Sequence, residues 1–379
     1  MSQPDIGSWA CPVPLRDHPN VVMGHGGGGR LSAELVAHLF LPAFAGTPLA
    51  GTLAELGDSA VLDLGPELGP GARLAFSTDS YVVRPRFFPG GNIGDLAVNG
   101  TVNDLAVAGA VPLALSVGAI LEEGMLLDEL GVIAETMGAA ARAAAVSIVT
   151  GDTKVVDSGH GDGLYLNTAG IGLVSAGVSL GPAQVRPGDA VLLSGPIGMH
   201  GIAVLSVRDG LEFGADLVTD SAPVTPLTRG LLAAGLGVAM MRDPTRGGVA
   251  ATLNEMAVAS GTGIEIVERD VPVPDTVRAA CGFLGLDPLY IANEGKVVVI
   301  VRGPDAEAAL DTMRRTAVGR GATRMARSPP STRAWWWPGP GSAAHESWTC
   351  RSPSNCPASA DRPGTGPDRP RPVASPPEG

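Results

Sequence analysis

The sequence predicts a mixed α/β protein of two domains. Three observations support this. The chain has 379 residues, more than one ordinary core needs. Apolar strand-like runs alternate with helix-period segments. The alternation also restarts after Gly181-Pro182 and the Pro187-Gly188-Asp189 turn, which divides the body near residue 180. The expected layout is an N-terminal extension over 1–19, a first domain over 20–180 and a second over 181–316. A tail follows over 317–379.

In the first domain a short strand is expected at 20–23. Residues 30–40 read as an amphipathic helix with Leu31, Leu35 and Leu39 on one face. Strands are expected near 59–64 and 72–78, then a helix over 92–109, where Val98, Val102, Leu105, Ala106 and Gly109 recur at helical spacing. A strand at 111–121, a helix at 126–144, and strands at 146–150 and 164–174 complete it. The second domain starts with a strand at 190–194. Helices near 199–208, 223–235 and 246–259 follow. Strands at 263–267 and 296–301 flank another helical stretch, and a helix at 304–315 closes the body.

The tail differs in kind. From Ala317 to Gly379 there is no Leu, Ile or Phe, yet the segment holds 12 of the 33 prolines and 4 of the 5 tryptophans. Eight Arg against four acidic residues make it basic. Without branched aliphatics it cannot offset its ordering entropy by burial, so disorder is expected. Its composition fits an ordinary Pro/Arg tail, or translation of a high-GC gene in a shifted frame, which accounts better for Trp335-Trp336-Trp337.

Composition narrows the function. A net charge of −12 argues against a nucleic-acid partner or an anionic membrane surface. A polyphosphate ligand would need bridging cations. Cys11, Cys281, Cys350 and Cys356 are scattered without a C-x-x-C pair, which disfavours structural zinc and a disulfide framework. The start, MSQPDIGSW, lacks a signal-peptide pattern, and the low-polarity stretch from Gly230 to Met241 is too short to span a bilayer. A cytoplasmic location is expected.

Several motifs carry chemistry. Gly24-His25-Gly26-Gly27-Gly28-Gly29 lies between a strand and a helix. It offers backbone N–H groups to an anion, or is a flexible loop. Asp58, Asp79, Asp95, Asp104 and Asp152 sit at strand ends, turns and on the helix at 92–109. Converging carboxylates must share cations or keep protons, and Mg²⁺ with a triphosphate would answer that need. Asn92, Asp95, Asn99 and Asn103 form one polar stripe on that helix, suited to a lined cavity or, less simply, to solvent. Lys154 in Gly151-Asp152-Thr153-Lys154 follows an apolar strand, where it could neutralise phosphoryl charge or be a surface lysine. Arg242-Asp243-Pro244-Thr245-Arg246-Gly247-Gly248 makes a rigid, anion-friendly helix start. Glu294 in Asn293-Glu294-Gly295-Lys296 could be a general base if held in a cleft, or an exposed turn carboxylate.

Taken in order, CPVPLRDHP, HGGGGRLSAEL, GDSAVL, STDSYVV, FFPGGNIGDLAVNGTVNDLAVAGA, GDTKVV, RDPTRGGVAATLNE and AACGFLGLDPLYIANEGK resemble the HypE family of hydrogenase maturation proteins. The likeness runs from Cys11 to about Arg315. GDSA, VNDLA and RDPTRGG alone would place the chain only in the wider aminoimidazole ribonucleotide synthetase superfamily. The resemblance implies that superfamily's two-domain fold, with mixed sheets and flanking helices. It implies a homodimer using ATP and Mg²⁺, carbamoylated by HypF and passing cyanide to the HypC–HypD complex. The activity implied is ATP-dependent dehydration of a cysteine S-carboxamide to a thiocyanate.

On that reading Asp79, Lys154 and Glu294 are catalytic. Gly26, Gly27, Gly28, Asn99, Asn103 and Lys154 hold the nucleotide, and Asp58, Asp79, Asp95, Asp104 and Asp152 hold metal. Two features depart from the family. Asn92 stands where Asp is frequent, and the sequence ends in Pro-Pro-Glu-Gly rather than in a reactive cysteine. Neither Cys350 nor Cys356 matches that cysteine's surroundings, so an impaired enzyme is expected. The alternatives are an inactive nucleotide-binding scaffold or another ATP-using kinase or synthetase of the superfamily.

Overall fold

The computed structural model describes residues 34, 37, 58–63, 71–211, 217–328 and 347–349. The expected strand at 20–23, the glycine loop and most of the expected helix at 30–40 lie outside them.

The first domain is built on a five-stranded sheet of β1 (Ala60–Leu62), β2 (Arg73–Tyr81), β5 (Ala110–Glu122), β6 (Ser147–Val156) and β7 (Leu164–Val174). Its order is β1-β2-β7-β5-β6, antiparallel except for the β5–β6 pair. A small ribbon, β3 (Phe87–Phe88) with β4 (Gly91–Asn92), precedes helix α1 (Ile93–Val107). Helix α1 starts where it does because Asn92 caps it: its side chain accepts from Gly94 N at 2.7 Å, and Asp95 reaches back to Asn92 N at 2.6 Å. Leu96, Ala97, Val98, Val102 and Leu105 of α1 are buried, as are Ile133, Met137 and Ala141 of α2 (Leu127–Ala143). Together they cover one face of the sheet. The opposite face leaves Phe76, Leu113, Ile120, Ile171 and Leu173 exposed.

The second domain holds a six-stranded sheet of order β13-β10-β12-β8-β11-β9. Its strands are β8 (Ala190–Leu193), β9 (Val238–Arg242), β10 (Glu265–Val267), β11 (Val298–Val301), β12 (Thr323–Arg327) and β13 (Ser347–Thr349). Strands β8 and β11 are buried throughout, in keeping with their continuous apolar sequences AVLL and VVIV. Helix α5 (Gly248–Ser260) packs on one face through Val249, Leu253 and Met256. Helices α4 (Thr225–Ala233) and α7 (Ala306–Arg314) cover the other, where Ala106 and Val107 of α1 join the same core. Helices α3 (Met199–Arg208) and α6 (Asp275–Leu284) form a flanking layer.

The chain continues past residue 316 into the second sheet, where β12 lies between β10 and β8. The sequence Thr-Arg-Met-Ala-Arg contains no Leu, Ile or Phe, but its Met325 and Ala326 are buried, as is Ala322 just before it. Beyond Ser328 the expected tail lies outside the described residues except for β13, which pairs with β10.

Candidate active site

The chemistry-bearing residues gather where the two domains meet. Asp58 precedes β1, Asp104 lies in the last turn of α1, and Asp243 follows β9 from the second domain. Their carboxylates approach within 4.8 Å of one another. Asp79 near the end of β2, Glu294 before β11, and Arg242 and Arg246 flank this trio.

Burial and mutual repulsion govern the electrostatics. Loss of water pushes Asp58 up to about 8, with Asp243 and Glu255 adding to the effect against the pull of Arg242. Asp243 is pushed to about 6 by burial. Burial, then the charges of Asp243 and Asp58, carry Asp104 well above the carboxylate range, although Ser77 Oγ donates to it at 2.7 Å. Glu294 is raised for the same reasons, by burial and then by Asp243 and Asp79, and its Oε2 is buried without a hydrogen-bond partner. The sequence alternative of an exposed turn carboxylate is therefore excluded for Glu294.

Three cations serve these acids. Arg242 Nε lies 2.5 Å from Asp58 and Nη2 lies 3.0 Å from Glu255. Lys296 Nζ meets Asp220 at 2.5 Å. Arg246 Nη2 meets Asp79 at 3.3 Å. Acids outnumber these cations, and three carboxylates this close cannot all ionise unaided. A hard divalent cation with oxygen ligands fits the donor set.

Within one chain the expected metal residues fall into separate places. Asp58 and Asp104 converge, and Asp79 stands beside them. Asp95 does not join them, because its carboxylate is engaged in the α1 capping box. Asp152 does not join them within one chain either. The sheet register runs Ser80–Asn167–Gly118–Asp152 in one row and Asp79–Thr168–Val117–Gly151 in the next. Adjacent rows point to opposite faces. Thr168 donates to Ala97 O of α1 at 2.8 Å, so the Asp79 row faces the helices and the Asp152 row faces away. Lys154 shares that outer face and pairs with Asp152 at 2.5 Å.

The amides of the α1 polar stripe bond across to the second domain. Asn103 Nδ2 donates to Ala222 O at 3.1 Å, and its Oδ1 accepts from Val224 N at 2.8 Å. Asn99 Nδ2 donates to Ser221 Oγ at 3.0 Å. Both amides therefore fasten the segment leading into α4 of the second domain, while Asn99 Oδ1 is buried without a hydrogen-bond partner. Gly26, Gly27 and Gly28 lie outside the described residues.

Sequence reasoning missed Asp243 as a member of this carboxylate cluster, although its motif was singled out. The available signal was an aspartate between an apolar strand and a Pro- and Gly-containing turn into a helix. Asn293 was missed as a positioning residue. It is buried, accepts from Gly198 N at 2.7 Å and donates to Pro244 O and Ile291 O, tying the Glu294 turn to the Asp243 turn.

Two domain families match this architecture. Residues 56–174 match the N-terminal domain of AIR synthase related proteins, and residues 186–323 match the C-terminal domain. Fold and site thus define a two-domain protein of the AIR synthase-related class. Within that class the similarity is specific. Carbamoyl dehydratase HypE of Cupriavidus necator is 50% identical over 303 residues, covering 80% of this chain and 84% of that protein. The Escherichia coli K12 HypE is 47% identical over 80% of this chain and 89% of its own length. A crystal structure of HypE in complex with ATP superposes with a TM-score of 0.66 at 48% identity, covering 81% of this chain and 89% of that one. A HypE–HypF complex gives 0.72 at 42%, covering 78% and 93%. The chain belongs to the HypE carbamoyl dehydratase family of hydrogenase maturation enzymes.

Proposed function

We propose that this chain binds ATP with Mg²⁺ at the domain junction and uses it to dehydrate a cysteine S-carboxamide to a thiocyanate. The observation that supports this most is the Asp58–Asp104–Asp243 trio, a set of carboxylates that needs cations to become fully charged. Asp58, Asp104 and Asp243 would hold the metal, with Asp79 adjoining. A bound Mg²⁺ would supply charge neutralisation at the phosphates.

The carboxamide oxygen is a poor leaving group, so it attacks the γ-phosphorus and ADP departs. The C–O bond then breaks, and the oxygen leaves with phosphate. Both nitrogen protons are lost, and C≡N remains on sulfur. With bound cations favouring its ionised form, Glu294 would accept one of those protons at its otherwise unpartnered Oε2, and the departing phosphate would take the other.

The chain is further proposed to act as a homodimer through the outer face of the first sheet, where Phe76, Leu113, Ile120, Ile171 and Leu173 are exposed. Asp152 and Lys154 lie on that face, so their contribution to catalysis would require a second copy. A HypF-type carbamoyltransferase would load the substrate, and a HypC–HypD-type acceptor would take the cyanide. The expected cytoplasmic location is kept as part of this reading; no helix among the described residues is long and apolar enough to cross a membrane.

Equilibrium dialysis with ATP, with and without Mg²⁺, tests the binding step. Intact mass after incubation with the carbamoyltransferase, carbamoyl phosphate and ATP tests the chemistry. Loss of water from a carbamoylated cysteine supports the enzyme. Mg²⁺-dependent ATP binding without that loss supports the scaffold alternative. Light scattering at twice the chain mass supports the dimer.

A further inference from the structure

We propose that Arg246 is a phosphate-binding residue of this site, and that its ion pair with Asp79 is a resting contact surrendered when metal and nucleotide enter. The inference rests on the nucleotide reading above and adds a residue and a switching contact to it.

Arg246 stands in the turn between β9 and α5. The backbone there is fixed by two glycines in the left-handed region, Gly247 at φ +75° and Gly248 at φ +63°. A Cβ on Gly248 would lie 2.4 Å from Leu289 O, so this close approach admits no larger residue. The turn therefore aims Arg246 at the domain junction. From there its side chain crosses to Asp79 in the first domain. Its charge is also felt by Asp243 and Glu294, so one guanidinium attends three acids of the site.

The three cations of the site differ in what it would cost to move them. The side chains of Arg242 and Lys296 are 16% and 9% exposed, each paired with carboxylates at 2.5 Å. Pulling either away would strand a buried charge. The Arg246 side chain is 58% exposed and its pair with Asp79 is looser, at 3.3 Å. Exposed pairs of this kind are weakly held. Arg246 is thus the cation that can change partner. A guanidinium presents a planar fork of donors that matches phosphate oxygens. Meanwhile it sits on Asp79 Oδ1, which also accepts from Ser80 N at 2.8 Å, so a cation drawn toward Asp79 would compete with the guanidinium for the same carboxylate. Arrival of a cation at Asp79 and transfer of Arg246 to phosphate are therefore coupled.

This coupling predicts that the two ligands respond differently. Arg246→Met and Arg246→Lys in the full chain are compared with wild type in two titrations, Mn²⁺ alone and a non-hydrolysable ATP analogue with Mg²⁺. Thermal melts confirm that the variants are folded. Arg246→Met should bind Mn²⁺ alone no more weakly than wild type, since Asp79 is freed. It should bind the nucleotide roughly ten-fold more weakly, and Arg246→Lys should fall between. Nucleotide affinity within two-fold of wild type in Arg246→Met overturns the proposal. Parallel weakening of Mn²⁺ and nucleotide also overturns it, because that is the signature of a structural role. A wild-type chain that binds no nucleotide overturns the reading of the site itself, and this inference with it.

Discussion

The carboxylates of Asp104 and Asp243 lie within 4.8 Å of each other although one belongs to a helix of the first domain and the other follows a strand of the second. Burial and mutual repulsion raise the proton affinity of both groups, so folding must either hold like charges together or take up protons. Such an arrangement costs stability and is useful when a cation is bound. Asp104→Asn and Asp243→Asn should each therefore raise the melting temperature of the ligand-free chain while weakening Mg²⁺–ATP binding at least ten-fold. Differential scanning calorimetry and dialysis together check this. A variant that melts lower and binds normally would contradict the assignment.

Proton competition sets the pH dependence of metal binding. Asp58 is pushed to about 8 and Asp243 to about 6, so both tend to hold protons in mildly acidic solution. A metal must displace those protons. Mn²⁺ affinity should rise at least ten-fold between pH 6 and pH 8, with proton release detectable by calorimetry in buffers of different ionisation enthalpy. Flat affinity across that range would remove these groups from the site.

Asn103→Ala tests the junction between the domains. It deletes two buried hydrogen bonds and leaves Val224 N–H and Ala222 C=O without their partners. The expected loss is about 2–3 kcal/mol in urea unfolding, from unsatisfied buried groups as much as from lost bonds. A loss under about 0.5 kcal/mol would show that water replaces the amide freely.

His200 gives the fold a separate acid sensitivity. It is buried, stacks edge-on against Phe88 with ring centroids 5.4 Å apart, and Nδ1 lies 2.8 Å from Thr219 Oγ1. Burial lowers it from 6.5 to about 4. Its folded value is depressed, so the unfolded chain takes up the proton first as pH falls. The contribution is present above pH 6.5 and is lost progressively toward pH 4, amounting to about 2 kcal/mol by pH 5. His200→Asn should flatten the stability-versus-pH curve in that window. An unchanged slope would show that His200 is not the responsible group.

Much of the architecture follows from local pattern. The expected strand at 164–174 and helix at 199–208 coincide with β7 and α3, because their periodicity and bounding turns are local signals. Asn92 capping α1 and the continuous burial of β11 follow the same logic. Strands β9 and β12 were not legible. Val-Ala-Met-Met-Arg merges with a preceding helical run, and Thr-Arg-Met-Ala-Arg lacks the aliphatics that mark a central strand. Their place in the sheet depends on neighbours distant in sequence.

The site divides along the same line. By itself the sequence determined the family, the two-domain class and the candidate acids Asp58, Asp79, Asp104 and Glu294, because motif order and residue type are properties of the chain. Tertiary structure decided which acids meet. It brought Asp243 in from the second domain, assigned Asp95 to a helix cap and Asn103 to the junction, and set Asp152 and Lys154 on the far face of the sheet. The physical reason is that sheet register and domain packing fix side-chain direction. A one-residue step along a strand reverses the face, and neither the face nor the opposing domain can be read from spacing along the chain.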